Sequence, residues 1–146
     1  MMRRIAAVLA LTALACSASA DVTLVEDGES EFVIYHAPDA PSSVAEAAGE
    51  LQRYIEEATG AMLKIATEPG QPMICLGANE TAQAAGLSAD DIPLEGFRTV
   101  TRDGNIYIVG PDTPDGEQTP QGGFSTGTRN GGYDFLERFV GVRWLM

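Results

Sequence analysis

The sequence predicts a single small α/β domain, and three patterns carry the prediction. Apolar residues recur at helical spacing from Val44 to Ala58, short β-rich runs stand on both sides of that segment, and Asp103-Gly104 parts two alternating runs as a hairpin turn does. A chain of 146 residues holds one such domain once its first twenty residues are set aside.

Those twenty have the make-up of an export signal. Arg3 and Arg4 form a positive n-region, Ile5 to Leu14 an apolar run too short to span a bilayer, and Ala18-Ser19-Ala20 the small residues that a signal peptidase accepts. Residues 1–20 are therefore expected to be a signal peptide cut before Asp21, and the product to be exported, periplasmic or extracellular. Cys16 after Leu14-Ala15 offers a lipoprotein alternative, which Ala13 weakens because such signals usually place Leu or Val there. No second apolar stretch of spanning length follows, so the expected membrane contact is limited to a lipid on Cys16.

Arg3 and Arg4 leave with the signal, so seven of nine basic residues remain against 21 acidic ones, a formal balance of −14. That sign argues against nucleic acid and anionic lipid as partners. Cys75 is the one cysteine of residues 21–146, which rules out an internal disulfide there. It lies in the apolar run Met73-Ile74-Cys75-Leu76 with no cation beside it, the setting of a buried, inert thiol.

Taken in order, Val22 to Glu26 and Glu31 to His36 read as two strands parted by Asp27-Gly28. Ser43 and Glu46 have the form of a capping box. After it Val44, Ala47, Ala48, Leu51, Tyr54, Ile55 and Ala58 make one apolar stripe, and Gly60 is placed to close the helix in a left-handed cap. Met62 to Thr67 and Pro72 to Leu76 read as strands, the second so continuously apolar that it belongs at the centre of a sheet, buried on both faces. Asn79 to Ala85 predicts a short helix closed by Gly86. Phe97 to Arg102 and Asn105 to Val109 flank a type I′ turn, with Ile106 and Ile108 on one face and Tyr107 and Val109 on the other.

Gly110 to Gly127, rich in Gly, Pro, Thr and Asp, is a long surface loop. Thr128 to Val140 forms the second main helix, with Tyr133, Leu136 and Val140 on its stripe, Phe135 and Phe139 widening it, and Gly141 as cap. Gly131-Gly132 within it costs about 1 kcal/mol per residue relative to Ala, which predicts close packing or a later helix start. Val142 to Met146 opens a further apolar strand, an unusual place for a terminus, so a truncated chain is expected.

The residues with chemical potential do not assemble into a reactive set. His36 is the sole histidine, and triads and most transition-metal sites need it in company. Asp112, Asp115 and Glu117 crowd one loop but lack the ligand spacing and closing Glu of a calcium loop, and read as a solvated acidic segment. Gly122 to Thr128 precedes a helix and offers amides to an anion, yet it has no Gly-Lys-Ser/Thr, and the net charge repels phosphate. Asp90-Asp91 and Glu56-Glu57 are adjacent pairs and cannot face one another across a glycosidic bond. Asn79-Glu80-Thr81 fits a glycosylation acceptor by chance in a chain whose signal looks bacterial. Trp144 with Arg143 could stack on a sugar, and packing of the indole in the core or on a following domain is the plainer reading. No residue is assigned a catalytic, cofactor-binding or metal-ligating role.

Four stretches, which together span most of residues 21–146, carry a resemblance. They are the helix A-A-G-E-L-Q-R-Y-I-E-E-A-T-G of Ala47 to Gly60; Ile74-Cys75-Leu76-Gly77; Glu95-Gly96-Phe97 into the hairpin ending Ile106-Tyr107-Ile108-Val109-Gly110; and Gly127-Thr128 through Gly132-Tyr133-Asp134-Phe135-Leu136-Glu137 to Gly141-Val142-Arg143-Trp144-Leu145. In this order they resemble the N-terminal domain that precedes the catalytic barrel in alpha-glucuronidases, bacterial beta-N-acetylhexosaminidases and related exported proteins. The resemblance implies an α+β fold, a mixed β-sheet with two main helices packed on one face, like the second domain of hexosaminidases. It implies that residues 21–146 are a non-catalytic accessory domain of a secreted glycoside hydrolase, with the barrel of the same parent chain as partner, glycans as a further candidate partner, and no cofactor. A free-standing exported sugar-binding or cell-envelope module is the alternative.

Overall fold

The computed structural model describes residues 21–144; the expected signal peptide with Cys16 lies outside the described residues, as do Leu145 and Met146. Five strands form one sheet: β1 (Val33–His36), β2 (Lys64–Ala66), β3 (Met73–Leu76), β4 (Arg98–Arg102) and β5 (Asn105–Val109). Their spatial order is β2-β1-β3-β5-β4, parallel throughout except for the antiparallel pair β4 and β5. Every residue of β3 and of β5 is buried, whereas the edge strands β2 and β4 expose Lys64, Arg98, Thr101 and Arg102. Continuous apolar runs thus occupy the middle, and charged residues guard the edges against further pairing.

Helices α1 (Ser42–Thr59) and α3 (Gly127–Phe135) pack together on one face of the sheet. Val44, Ala47, Ala48, Leu51 and Ile55 of α1, with Phe135 and the adjoining Leu136, close over Ile34, Ile74, Ile106 and Ile108. Each such fully buried aliphatic side chain contributes about 1.5–3 kcal/mol against exposure. The opposite face carries Tyr35, Met73, Cys75, Tyr107 and Val109, covered by Ala82 of the short helix α2 (Glu80–Ala84) and by Leu87. The chain therefore adopts the expected α+β arrangement, a mixed sheet with its two main helices on one face.

Local signals act as expected at several joints. Asp103 and Gly104 both take positive φ, 51° and 77°, which makes the β4–β5 connection the type I′ turn anticipated. Gly60 ends α1 at φ 81° with its N–H on the Glu56 carbonyl. At Gly131 an added Cβ would stand 2.6 Å from Cγ2 of Ile108, so this glycine allows close contact between α3 and the sheet, whereas a Cβ at Gly132 would meet only Ala47 of α1 at 3.9 Å.

Five expectations are corrected. Val22 to Glu26 is not a strand: only Glu26 and Glu29 bridge around Asp27-Gly28, while Val22, Leu24 and Val25 lie against the core as an apolar cover. The Ser43–Glu46 box does not form, because Pro41 rather than Ser43 is the N-cap of α1, the first amide of the helix is taken by a distant carboxylate, and Glu46 pairs with Arg129. The first strand after α1 shrinks to three residues, leaving Met62 exposed, and Ala58 lies on the wet side of the helix. The last helix is not α-helical to Val140. Leu136–Val140 forms a π turn, whose wider winding carries Phe139 off the buried stripe to 67% exposure.

Glycine contacts give a paired prediction. Gly110 meets backbone atoms of Gly127 at 2.5 Å and Gly96 at 2.6 Å from a notional Cβ, while Gly49 inside α1 meets nothing within 4 Å. Gly110→Ala is expected to lower stability by about 1–3 kcal/mol through overpacking. Gly49→Ala is expected to raise it by about 1 kcal/mol through helix propensity. Urea midpoints that move in opposite directions check both.

Candidate functional site

The carboxyl ends of the parallel strands open into a groove of about 1010 Å³. From β1 the chain moves through α1 to β2 on one side, then returns to place β3 on the other, so the direction of winding reverses between β1 and β3. Crevices at such reversals are the usual ligand sites of open parallel sheets. Tyr35 and Ala37 line the groove at the end of β1, Leu76 and Gly77 at the end of β3, and Gly110 and Pro111 after β5. Its charged lining residues, Asp39, Glu80, Asp90, Asp112 and Glu117, are all acidic. A ligand carrying negative charge would be repelled there.

The acids of the 110–126 loop act chiefly on helix ends. Asp115 accepts from the Ser42 amide at 3.0 Å and from the Ser42 hydroxyl at 2.8 Å, and so caps α1 from 73 residues away. Asp112 accepts from the Thr128 amide at 3.0 Å and the Thr128 hydroxyl at 2.5 Å. Glu95, held at φ 65°, accepts from the Thr126 amide at 2.9 Å and from Asn130 Nδ2 at 2.8 Å. The start of α3, a candidate anion cradle by sequence, therefore already holds two carboxylates of its own chain, which complement the helix dipole. A second depression of about 500 Å³ lies between the starts of α1 and α3, lined by Ser42, Glu46, Glu95, Asp115, Phe124 and Arg129.

Asp112 is thus not a solvated loop acid. Burial pushes its pKa up, and the two bonds from Thr128 pull back less strongly. Thr128 itself is fully buried and satisfied on both sides, because its hydroxyl also accepts the Gly110 amide at 3.1 Å. Asp115 serves the other helix, and the Glu117 amide closes a turn on the Pro114 carbonyl, so the three acids do not converge. Among the described residues no three of His, Cys, Asp and Glu stand where they could hold a metal ion.

The remaining candidates disperse. His36, half-buried at the end of β1, has Nδ1 2.9 Å from the Ala37 carbonyl. Asp91 pairs with Arg98 at 2.9 Å, and that guanidinium holds its carboxyl below the usual range. Glu56 and Glu57 are exposed on α1. Asn79 is the N-cap of α2: its Oδ1 accepts the Ala82 amide at 3.0 Å and its Nδ2 donates to the Leu76 carbonyl at 3.0 Å, so its amide is committed to the fold. Cys75 is buried, with its thiol pushed up to about 11 by desolvation. Trp144 sits edge-on against Tyr54 and Tyr133, 5.1 and 5.2 Å between ring centroids. Sequence reasoning missed Glu95 and the capping roles of Asp112 and Asp115. Acids 16 to 73 residues from the amides they cap leave no local pattern.

Three outcomes follow from this geometry. Thr128→Val is expected to cost about 1–3 kcal/mol by stranding the Gly110 amide and the Asp112 carboxyl, with Thr128→Ser losing less, as chemical denaturation would measure. Because its folded pKa lies above the unfolded value, Asp112 contributes stability that is fully present below about pH 3.9 and is lost as pH rises through the folded pKa. Unfolding curves between about pH 3 and pH 7 should then show the wild type losing ground to Asp112→Asn as pH rises. In residues 21–146, a thiol reagent at about pH 8 should modify Cys75 in denaturant and leave it untouched in the folded protein, as mass spectrometry would show.

No protein-family model matches the chain, and no curated protein matches it. Among solved structures, the fold is similar to part of a family GH115 4-O-methyl-alpha-glucuronidase with specificity for decorated arabinogalactans, at a TM-score of 0.61 and 21% sequence identity. The match covers 82% of this chain and 14% of that one, so the likeness is one of fold and falls within a small portion of a much longer enzyme.

Proposed function

We propose that residues 21–146 are the non-catalytic N-terminal accessory domain of an exported carbohydrate-active hydrolase, released by cleavage of the signal at residues 1–20. Its role is to pack on and position a catalytic barrel that follows in the parent chain. The observation that carries this reading is the likeness of most of the chain to 14% of a glucuronidase. The disposition of the acids supports it as well. Glycoside hydrolysis calls for two carboxyl groups facing one another across roughly 5–10 Å. Here Asp112, Asp115 and Glu95 are tied to helix ends and Asp91 to Arg98. The groove likewise suits an accessory role: its five acids disfavour a uronic acid, so recognition of a glucuronate falls to the remainder of the parent enzyme.

Two measurements test the proposal. Purified residues 21–146 are expected to leave aryl glycosides, aryl glucuronides included, unhydrolysed, and turnover above the enzyme-free blank would overturn the non-catalytic role. The genomic reading frame is expected to continue past the Met146 codon for several hundred codons with alternating strand and helix patterns. A stop codon at that point would remove the parent enzyme from the account.

A further inference from the structure

The groove at the carboxyl ends of the parallel strands carries charge of one sign and holds no counter-charge. No lysine, arginine or histidine lines it. Asp112 is committed to Thr128, but Asp39, Glu80, Asp90 and Glu117 are exposed, and none of them belongs to an ion pair among the described residues. The smaller depression between the helix starts differs, because there Arg129 neutralises Glu46 at 2.9 Å. An acidic composition scatters carboxylates over a whole surface, yet here four that lack a partner share one concavity. Val44, Leu76, Ile92 and Leu94 form apolar wall between them, and walls of low polarity concentrate the field of the charges they separate.

Tyr35 supplies an observation independent of the acids. Its side chain is 6% exposed, it lines the groove, and it reaches α2 next to Glu80, which lines the groove as well. The hydroxyl has one neighbour, Thr81 Oγ1 at 3.5 Å, whereas a formed O–H···O bond spans about 2.5–3.0 Å. A buried phenol ordinarily finds a partner. Among the described residues none stands within bonding range, so this O–H is left to donate to an oxygen that a ligand brings. Position and size agree: the groove sits at the reversal between β1 and β3, and its volume of about 1010 Å³ is that of a cleft for a small molecule.

We infer that this groove is a binding site for a small hydroxylated amine in its protonated form, whose ammonium group meets the free carboxylates and whose oxygen accepts from Tyr35. The inference goes beyond the accessory role and does not depend on it. A metal ion is the poorer occupant, since among the described residues no three ligating side chains stand close enough to hold one. An anion is repelled.

Glucosamine, glucose and glucuronate share one pyranose ring and differ in charge, which makes them the probes. Each is titrated into ¹⁵N-labelled residues 21–146 at about pH 6, where such an amine is protonated, and amide shifts are followed by NMR. Saturable shifts at Ala37, Gly77 and Gly110 are expected with glucosamine, at least about tenfold tighter than with glucose, and none with glucuronate. Added salt should weaken the glucosamine complex. Tyr35→Phe, which removes the hydroxyl alone, should weaken it at least about threefold, and Glu80→Gln with Asp90→Asn, at two exposed positions, about tenfold. Glucose bound as tightly as glucosamine would overturn the inference, as would shifts that spread over the surface without saturating. Undiminished binding by both variants would place the amine elsewhere and overturn it too. None of these outcomes touches the accessory role, which stands or falls on the reading frame beyond Met146.

Discussion

Burial of β3 and β5 on both faces is the constraint from which the rest of the structure follows. A strand such as Met73-Ile74-Cys75-Leu76 has no wet side, so the chain must supply cover above and below it. The two sides are covered differently. One receives α1 and α3, whose apolar stripes close over Ile34, Ile74, Ile106 and Ile108 of the sheet; the other receives a five-residue helix and a loop. That asymmetry is why the groove opens where it does, beside the thinner cover and at the carboxyl ends of the strands.

Close approach of α3 to the sheet requires the absence of side chains at Gly110, Gly127 and Gly131, where a methyl group would meet atoms at 2.2 to 2.6 Å. With the backbones in such contact, Thr128 at the start of α3 is fully buried, and the chain must satisfy its amide internally. Asp112 does so, while Glu95 takes the more exposed Thr126 amide. A strongly acidic composition is thereby put partly to structural use: carboxylates from the connecting loops complete both main helices, and the same bonds pin a Gly- and Pro-rich segment that has no regular structure to hold it.

What could be read in advance was whatever depends on spacing over a few residues. The stripe from Val44 to Ile55, the continuous run of β3, the Asp103-Gly104 turn and the left-handed cap at Gly60 are local patterns, and each stands in the structure in that role. The resemblance added the arrangement of two helices on one side of a mixed sheet, which periodicity alone does not specify. Illegible were features decided between distant residues. The apparent capping box at Ser43 lost to Asp115, whose carboxylate reaches both the amide and the hydroxyl of Ser42. Val22 to Glu26 has the composition of a strand, but it joins neither edge of the sheet, and Val22, Leu24 and Val25 serve as apolar cover.

Phe139 shows how such a departure carries information. Its side chain satisfies the helical pattern of Phe135, Leu136 and Val140, and burying it would be favourable by about 1.5–3 kcal/mol. The backbone forgoes that gain by widening one turn, yet it keeps Leu136 fully buried and closes the turn with Gly141 in a left-handed cap that hydrogen-bonds to Leu136. Both ends of the turn are thus secured while its middle is turned outward. A frayed helix end would lose its cap and its buried anchor together. A capped turn that presents an aromatic ring is instead a stable element of the fold.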